Sequence, residues 1–158
     1  MRPLHAMSRA TPARLARRRL LAIAAAILAS GGSAQATPEA ARDLLRTLAR
    51  GGTPRPGRIE LRIADLAENG NQVPVAFAVQ SPMTAADHVR AVHLVADGNP
   101  NPGVASFFFT PLAGRCEASL RLRLARSQRV YALAETSDGA LWLAQREVTV
   151  TVGGCVAE

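Results

Sequence analysis

From Arg58 to Ile63 apolar and charged residues alternate without a break. Ile59, Leu61 and Ile63 fall on one side, and Arg58, Glu60 and Arg62 on the other. A period of two marks a strand with one buried face. The period returns at Val73, Val75, Phe77 and Val79, and Pro74 within that run predicts an incomplete ladder or an edge position. Further strands are predicted over residues 89–96, 104–110, 117–124, 129–135, 141–143 and 147–152. In the run over 117–124, Leu120, Leu122 and Leu124 face inward while Arg121 and Arg123 face solvent. Phe107-Phe108-Phe109 predicts burial on both faces or a face covered by a partner. Turns are predicted at Glu68-Asn69-Gly70-Asn71, where Asn-Gly readily takes positive φ, and at Ser137-Asp138-Gly139.

One segment before the strands has a different period. Thr37 can cap a helix, Pro38 suits its first position, Glu39 favours its positive end, and Leu44, Leu45 and Leu48 form a stripe ended by Gly51-Gly52. The stripe predicts packing on a sheet edge or a partner. There is no βαβ spacing and no phosphate-loop glycine pattern. The expected fold is all-β, an immunoglobulin-like β-sandwich of about seven strands with a short N-terminal helix. The expected division is a helix over 37–52, a sandwich over 53–152 and a flexible cysteine arm over 153–158.

The opening residues read as a signal peptide, residues 1–36. Arg9, Arg14 and Arg17-Arg18-Arg19 form a basic start, Leu20 to Ala29 gives ten apolar residues, and Ala34 and Ala36 mark a cleavage site. That apolar run is half the length of about 20 residues that a spanning helix needs, so membrane insertion is not expected. Arg17 and Arg18 also suit the twin-arginine route of export. The formal charge of +7 changes meaning once this segment is set aside. The remaining 122 residues hold thirteen arginines against twelve acids, a net charge near +1. The basicity therefore belongs to targeting and gives no ground for nucleic-acid binding. Of the exposed arginines, Arg121, Arg123, Arg126 and Arg129 read as a solvated face or as an electrostatic docking patch.

Two cysteines remain. Cys155 follows Gly153-Gly154 three residues from the end of the chain. Glycines give the backbone wide freedom and chain ends are usually exposed, so the pair reads as the hinge of an arm. A thiol there can be a nucleophile or covalent attachment point, a disulfide partner, or an inert group on a tail folded back against the sheet. No cation neighbours it in sequence, so its activation would have to come from a partner's pocket. Cys116 shares parity with Leu120 and Leu122 and reads as a buried structural cysteine, or as a disulfide partner for Cys155. His88 and His93 do not show metal-ligand spacing with Cys116, and no metal or other cofactor is expected.

Several of these segments together resemble the SoxY family, the sulfur-covalently-binding carriers of periplasmic thiosulfate oxidation. They are Glu68-Asn69-Gly70-Asn71 with Val73-Pro74-Val75, then Ser81-Pro82-Met83, then the stretch from Asp87-His88-Val89 through Asn99-Pro100-Asn101-Pro102 to Ala113-Gly114-Arg115. Val150-Thr151-Val152-Gly153-Gly154-Cys155 completes the likeness. The resemblance implies that Cys155 carries sulfur intermediates covalently and that Gly153 and Gly154 serve as the arm's hinge. It implies a carrier that is not itself a catalyst, paired with a SoxZ-like small β-sandwich subunit. The arm would be presented to a haem-containing ligating enzyme, a sulfate-releasing hydrolase and, where present, a sulfur dehydrogenase. The chain departs from the family's pattern after the cysteine, with Val156-Ala157-Glu158 in place of glycines, and in having Cys116. A β-sandwich interaction module, or a paralogue of the carrier that no longer cycles, is the alternative expectation.

Overall fold

The computed structural model describes residues 37–152 and 155–156. The predicted signal peptide, Gly153, Gly154, Ala157 and Glu158 lie outside the described residues. Helix α1 (Pro38–Leu48) begins where Thr37 accepts a hydrogen bond from the Ala40 N–H through its hydroxyl oxygen at 3.2 Å. It is followed by strands β1 (Ile59–Ile63), β2 (Leu66–Ala67), β3 (Val73–Val79), β4 (Val89–Ala96) and β5 (Gly103–Phe108). A 3₁₀ turn over Pro111–Ala113 precedes β6 (Cys116–Leu122), β7 (Gln128–Thr136), β8 (Leu141–Val152) and β9 (Cys155–Val156).

The strands form two sheets. One has the order β1-β3-β6, the other β2-β8-β7-β4-β5, and β9 pairs with the end of β8. All pairings are antiparallel except β2 with β8. Seven strands have five residues or more, and together they make the expected all-β, immunoglobulin-like sandwich. The inward residues of both sheets meet in one core. Val73, Val75, Phe77 and Val79 of β3 face Val92, Leu94, Val130, Ala132, Val148 and Val150 across it. Phe77 is packed by the edges of Phe107 and Phe109, with ring centroids 5.2 and 6.3 Å away.

The aromatic run therefore alternates like any strand: Phe107 and Phe109 point in, and Phe108 is 78% exposed. The helix stripe covers a sheet face rather than an edge. Leu45, Leu48 and Ala49 pack on Leu133, Leu141 and Leu143, on the side of the larger sheet away from the core. Pro74 lies in a central strand, opposite Arg121 of β6, but one residue beyond the last β1 partner, Ile63 opposite Val75. Its missing N–H thus falls where no β1 neighbour stands.

The predicted split between 141–143 and 147–152 is absent, because β8 runs unbroken. Gln145-Arg146-Glu147 looks like a break in sequence, since three polar residues interrupt the pattern. Arg146 has the parity of Ala144 and Val148, yet it is exposed, because it lines open grooves between β8 and β1.

The Asn69-Gly70 turn forms without positive φ at either residue. Gly70 is required for a different reason, close approach: a Cβ there would lie 2.4 Å from the Leu124 carbonyl oxygen and 2.8 Å from Cγ1 of Val150. Gly70→Ala is expected to destabilise the fold by about 1–3 kcal/mol, the usual penalty of overpacking. Urea unfolding of the two proteins measures this, and equal midpoints would show that the turn can yield.

Candidate functional site

The last third of β8 extends past its antiparallel partner. Gln128, the first residue of β7, stands opposite Val148, so β8 from Thr149 onward has no β7 neighbour. Other groups complete its ladder. On the β7 side Ser127 stands in with its side chain, its hydroxyl oxygen accepting from the Val150 N–H at 3.0 Å. On the opposite edge the Thr149 N–H donates to the Asp65 carbonyl at 2.8 Å, and Leu66 and Ala67 lie beside Thr149 and Val150. Beyond that point β9 turns back, with Val152 opposite Cys155 and Thr151 opposite Val156. The backbone of Cys155 is thereby located at the end of β8. The hinge residues expected from sequence, Gly153 and Gly154, fall outside the described residues.

Around this root the structure gathers segments that are remote in sequence. The Glu68–Asn71 turn and residues Arg123 to Ala125 line a small groove against Val150 and Thr151. Asn99 ties the next loop to the same end. Its Oδ1 accepts from the Ala125 N–H at 2.9 Å and from Gln128 Nε2 at 3.0 Å, and its Nδ2 donates to the Arg123 carbonyl at 2.8 Å. Gln128 is 6% exposed, and Oε1 accepts from the Gly98 N–H at 2.7 Å while Nε2 also donates to the Arg126 carbonyl. A buried amide with both ends engaged holds its loops in one arrangement. Sequence reasoning found the Glu68–Asn71 and Asn99–Pro102 motifs but not Ser127 or Gln128. The signal that could have found them is their position at the start of β7, where a Ser-Gln pair precedes an apolar alternation.

Cys116 is far from this end. It opens β6 opposite Val79, whereas the root lies near Leu122 and Leu124. Six steps along the strand separate Cys116 from Leu122, about 20 Å at strand spacing. A disulfide needs Cα atoms within about 7 Å. The thiol of Cys116 is free and only 3% exposed. Burial pushes it up from its ordinary 9.0 to about 12, so it stays protonated and a poor nucleophile at neutral pH. His93 projects on the opposite face of the larger sheet from the core, with Nδ1 2.8 Å from Ser106 Oγ, and burial lowers its pKa. His88 Nδ1 is 3.1 Å from the Thr84 carbonyl. Among the described residues no three His, Cys, Asp or Glu side chains gather where they could hold a metal ion. No helix among the described residues is long and apolar enough to cross a membrane.

The class that the fold defines is a small β-sandwich whose longest strand leads into a terminal segment that holds a cysteine. The chain belongs to the family described as sulfur oxidation protein SoxY, whose model matches residues 46–155. The sulfur carrier protein SoxY from Chlorobium limicola f thiosulfatophilum is similar in structure. It has a TM-score of 0.60 and 29% identity, over 73% of this chain and 99% of that one. Superoxide reductase (neelaredoxin) from Ignicoccus hospitalis has a TM-score of 0.53 and 23% identity, over 77% and 98% of the two chains. That second likeness is one of fold alone. No curated protein matches the sequence.

The Cys116 thiol makes the fold sensitive to alkali. Its folded pKa lies above its unfolded one, so the folded state holds the proton more tightly and stability falls as pH rises from about 9 toward about 12. Thermal unfolding of the wild type and Cys116→Ala across this range is expected to show the wild type losing its advantage as pH rises. A constant difference between the two would mean that Cys116 ionises as easily folded as unfolded.

Proposed function

We propose that this protein is a periplasmic sulfur carrier that holds intermediates of thiosulfate oxidation covalently on Cys155. The observation that carries the proposal is the SoxY family match, which runs from the helix to residue 155, the cysteine itself. The likeness to a sulfur carrier protein over nearly its whole length supports it.

The chemistry follows from the thiol. Joining Cys155 to thiosulfate forms an S–S bond, giving Cys–S–S–SO₃⁻ with loss of the thiol proton and two electrons. The electrons must go to an acceptor, the role of a haem-containing ligating enzyme. Hydrolysis by a second enzyme then breaks the bond between the outer sulfur and the sulfonate. Water supplies the oxygen, sulfate leaves with two protons, and a persulfide anion remains on Cys155. A sulfur dehydrogenase, where present, would oxidise that remaining sulfur further.

The sandwich supplies none of the reacting groups in this scheme. It supplies a rigid base for an arm of Gly153-Gly154-Cys155 that reaches into each enzyme, and a SoxZ-like subunit would complete the carrier. The thiolate forms only in small amount near neutrality from an ordinary cysteine, so the enzymes' pockets supply the activation. Val156-Ala157-Glu158 put a β-branched side chain and an acid beside the adduct, which favours enzymes with a wider or more basic channel than a Gly-Gly ending needs. Export by the signal peptide, with Arg17 and Arg18 suited to the twin-arginine route, would place the carrier with these partners.

Incubation of the reduced protein with thiosulfate and the ligating enzyme is expected to add a thiosulfonate mass to the C-terminal peptide in mass spectrometry. Cys155→Ser is expected to abolish the adduct, whereas Cys116→Ser leaves it in place. An adduct on Cys116, or sulfur oxidation that survives Cys155→Ser, would sink the proposal.

A further inference from the structure

The middle of β8 has an open edge. On the side away from β7, the Leu141 carbonyl accepts from the Arg55 N–H and the Leu143 N–H donates to the Arg55 carbonyl, both at 2.9 Å. Six residues on, Thr149 is held by Asp65 and β2 takes over. Alternation along the strand turns the peptide groups of Gln145 and Glu147 toward this same edge. Among the described residues no backbone hydrogen bond reaches them there, although β1 runs nearby across a groove. The gap is about 20 Å long at strand spacing, while the other edge of β8 is paired with β7 as far as Val148.

The gap is also positively charged. A groove of about 730 Å³ runs beside it, between the start of β1 and β8, and is lined by Arg55, Arg58 and Arg146. None of these three arginines is in an ion pair among the described residues. The one acid lining that groove, Glu60, is already held by both ends of the Arg62 guanidinium at 2.7 Å. Asp138 feels the charge of Arg58, but its carboxylate is engaged by the Thr136 hydroxyl and the Ala140 N–H. Glu147 and Asp65 stand at the β2 end, so the positive end of the gap is the one nearest Trp142.

The positive end is built, not incidental. The guanidinium carbons of Arg55 and Arg58 sit 5.2 and 4.9 Å from the centre of the Trp142 ring. Arg58 reaches that position through a left-handed backbone, φ 55, directly after Gly57 at φ 109. A non-glycine residue in this region is uncommon and strained. Two like charges are thus held on one indole with no acid between them, in a chain whose remaining net charge beyond residue 36 is near zero.

We infer that this edge is a docking site for an extended acidic segment of a partner protein, which adds as a strand to β8 between Arg55 and β2. Main-chain hydrogen bonds to Gln145 and Glu147 would fix it in place, and its acidic side chains would meet Arg55, Arg58 and Arg146. The length of the groove and the row of open peptide groups suit a polypeptide better than a single small anion. The inference does not rest on Cys155: the edge is a separate surface, and Cys155→Ser leaves it intact.

Trp142 is the only tryptophan in the chain, so its fluorescence reports on the groove directly. The full chain would be titrated with the peptide Glu-Val-Glu-Val-Glu, with Gln-Val-Gln-Val-Gln, with the acidic peptide N-methylated on its backbone, and with sodium sulfate. The expected result is a saturable change with the acidic peptide alone, weakened at least tenfold in Arg58→Gln and in Arg146→Gln, unchanged in Cys155→Ser, and reduced by salt. Circular dichroism melting checks that each variant is folded. Arg42→Gln, on the exposed face of α1, serves as the control for loss of one charge elsewhere. Absence of a saturable signal overturns the inference. Equal binding by the N-methylated peptide or by sulfate overturns it too, since either would mean anion binding without strand addition. Binding retained in both arginine variants would place the peptide elsewhere.

Discussion

A twelve-residue strand needs backbone partners along both edges, and β8 obtains them piecemeal. β7 serves one edge as far as Val148, and the Ser127 side chain continues that edge for one more peptide unit. The other edge is served by Arg55 at one end and by Asp65 and β2 at the other. Three features of the molecule sit at junctions of this patchwork. The tail leaves where the β7 ladder stops. The Glu68–Asn71 turn presses against Val150 where β2 takes over, close enough that only glycine fits at position 70. The loop that holds Gly57 and Arg58 follows directly on the Arg55 contact. Unsatisfied peptide groups inside a protein are costly, so a strand this long dictates what must lie beside it.

The sheet geometry places the backbones of the two cysteines at opposite ends of the sandwich. Cys116 starts β6 with inward parity, opposite the buried Val79, and burial keeps it protonated. Cys155 lies past the last β7 partner of β8, paired back on Val152 at the far end of the molecule. Distance along the sheet and burial together set Cys116 apart from that end of the molecule.

Much of this was legible in the sequence, where alternation was strict. β1, β3 and β6 show a clean period of two, and α1 shows its cap, its first-turn proline and its leucine stripe. The motifs at Glu68–Asn71 and Val150–Cys155 could be recognised, but not that they touch: Gly70 and Val150 are eighty residues apart and meet only through the fold. β2 escaped because two residues carry no periodicity. The continuity of β8 escaped because Arg146 has inward parity but lines open grooves beside β1, so a polar residue there says nothing against a strand. The left-handed turns at Arg58 and Met83 escaped as well, since neither residue type favours positive φ and tertiary contacts impose it. The reach of Gln128 to Gly98 and Asn99 is of the same kind, a side chain whose role is set by a loop thirty residues earlier.

The way β8 is held has a mechanical side. A pull on the cysteine tail acts along the axis of β8, parallel to the strands on either side of it. The bonds to β7, to Arg55 and to β2 are then loaded sideways and must yield together, as in shear. The short β8–β9 pairing is loaded differently, because a tug on its free end opens it one bond at a time, like a zipper. The β8–β9 pairing can therefore be opened with little force, while the ladders that hold β8 resist. Under tension along β8 the described residues thus divide into a short pairing that yields early and a body that resists.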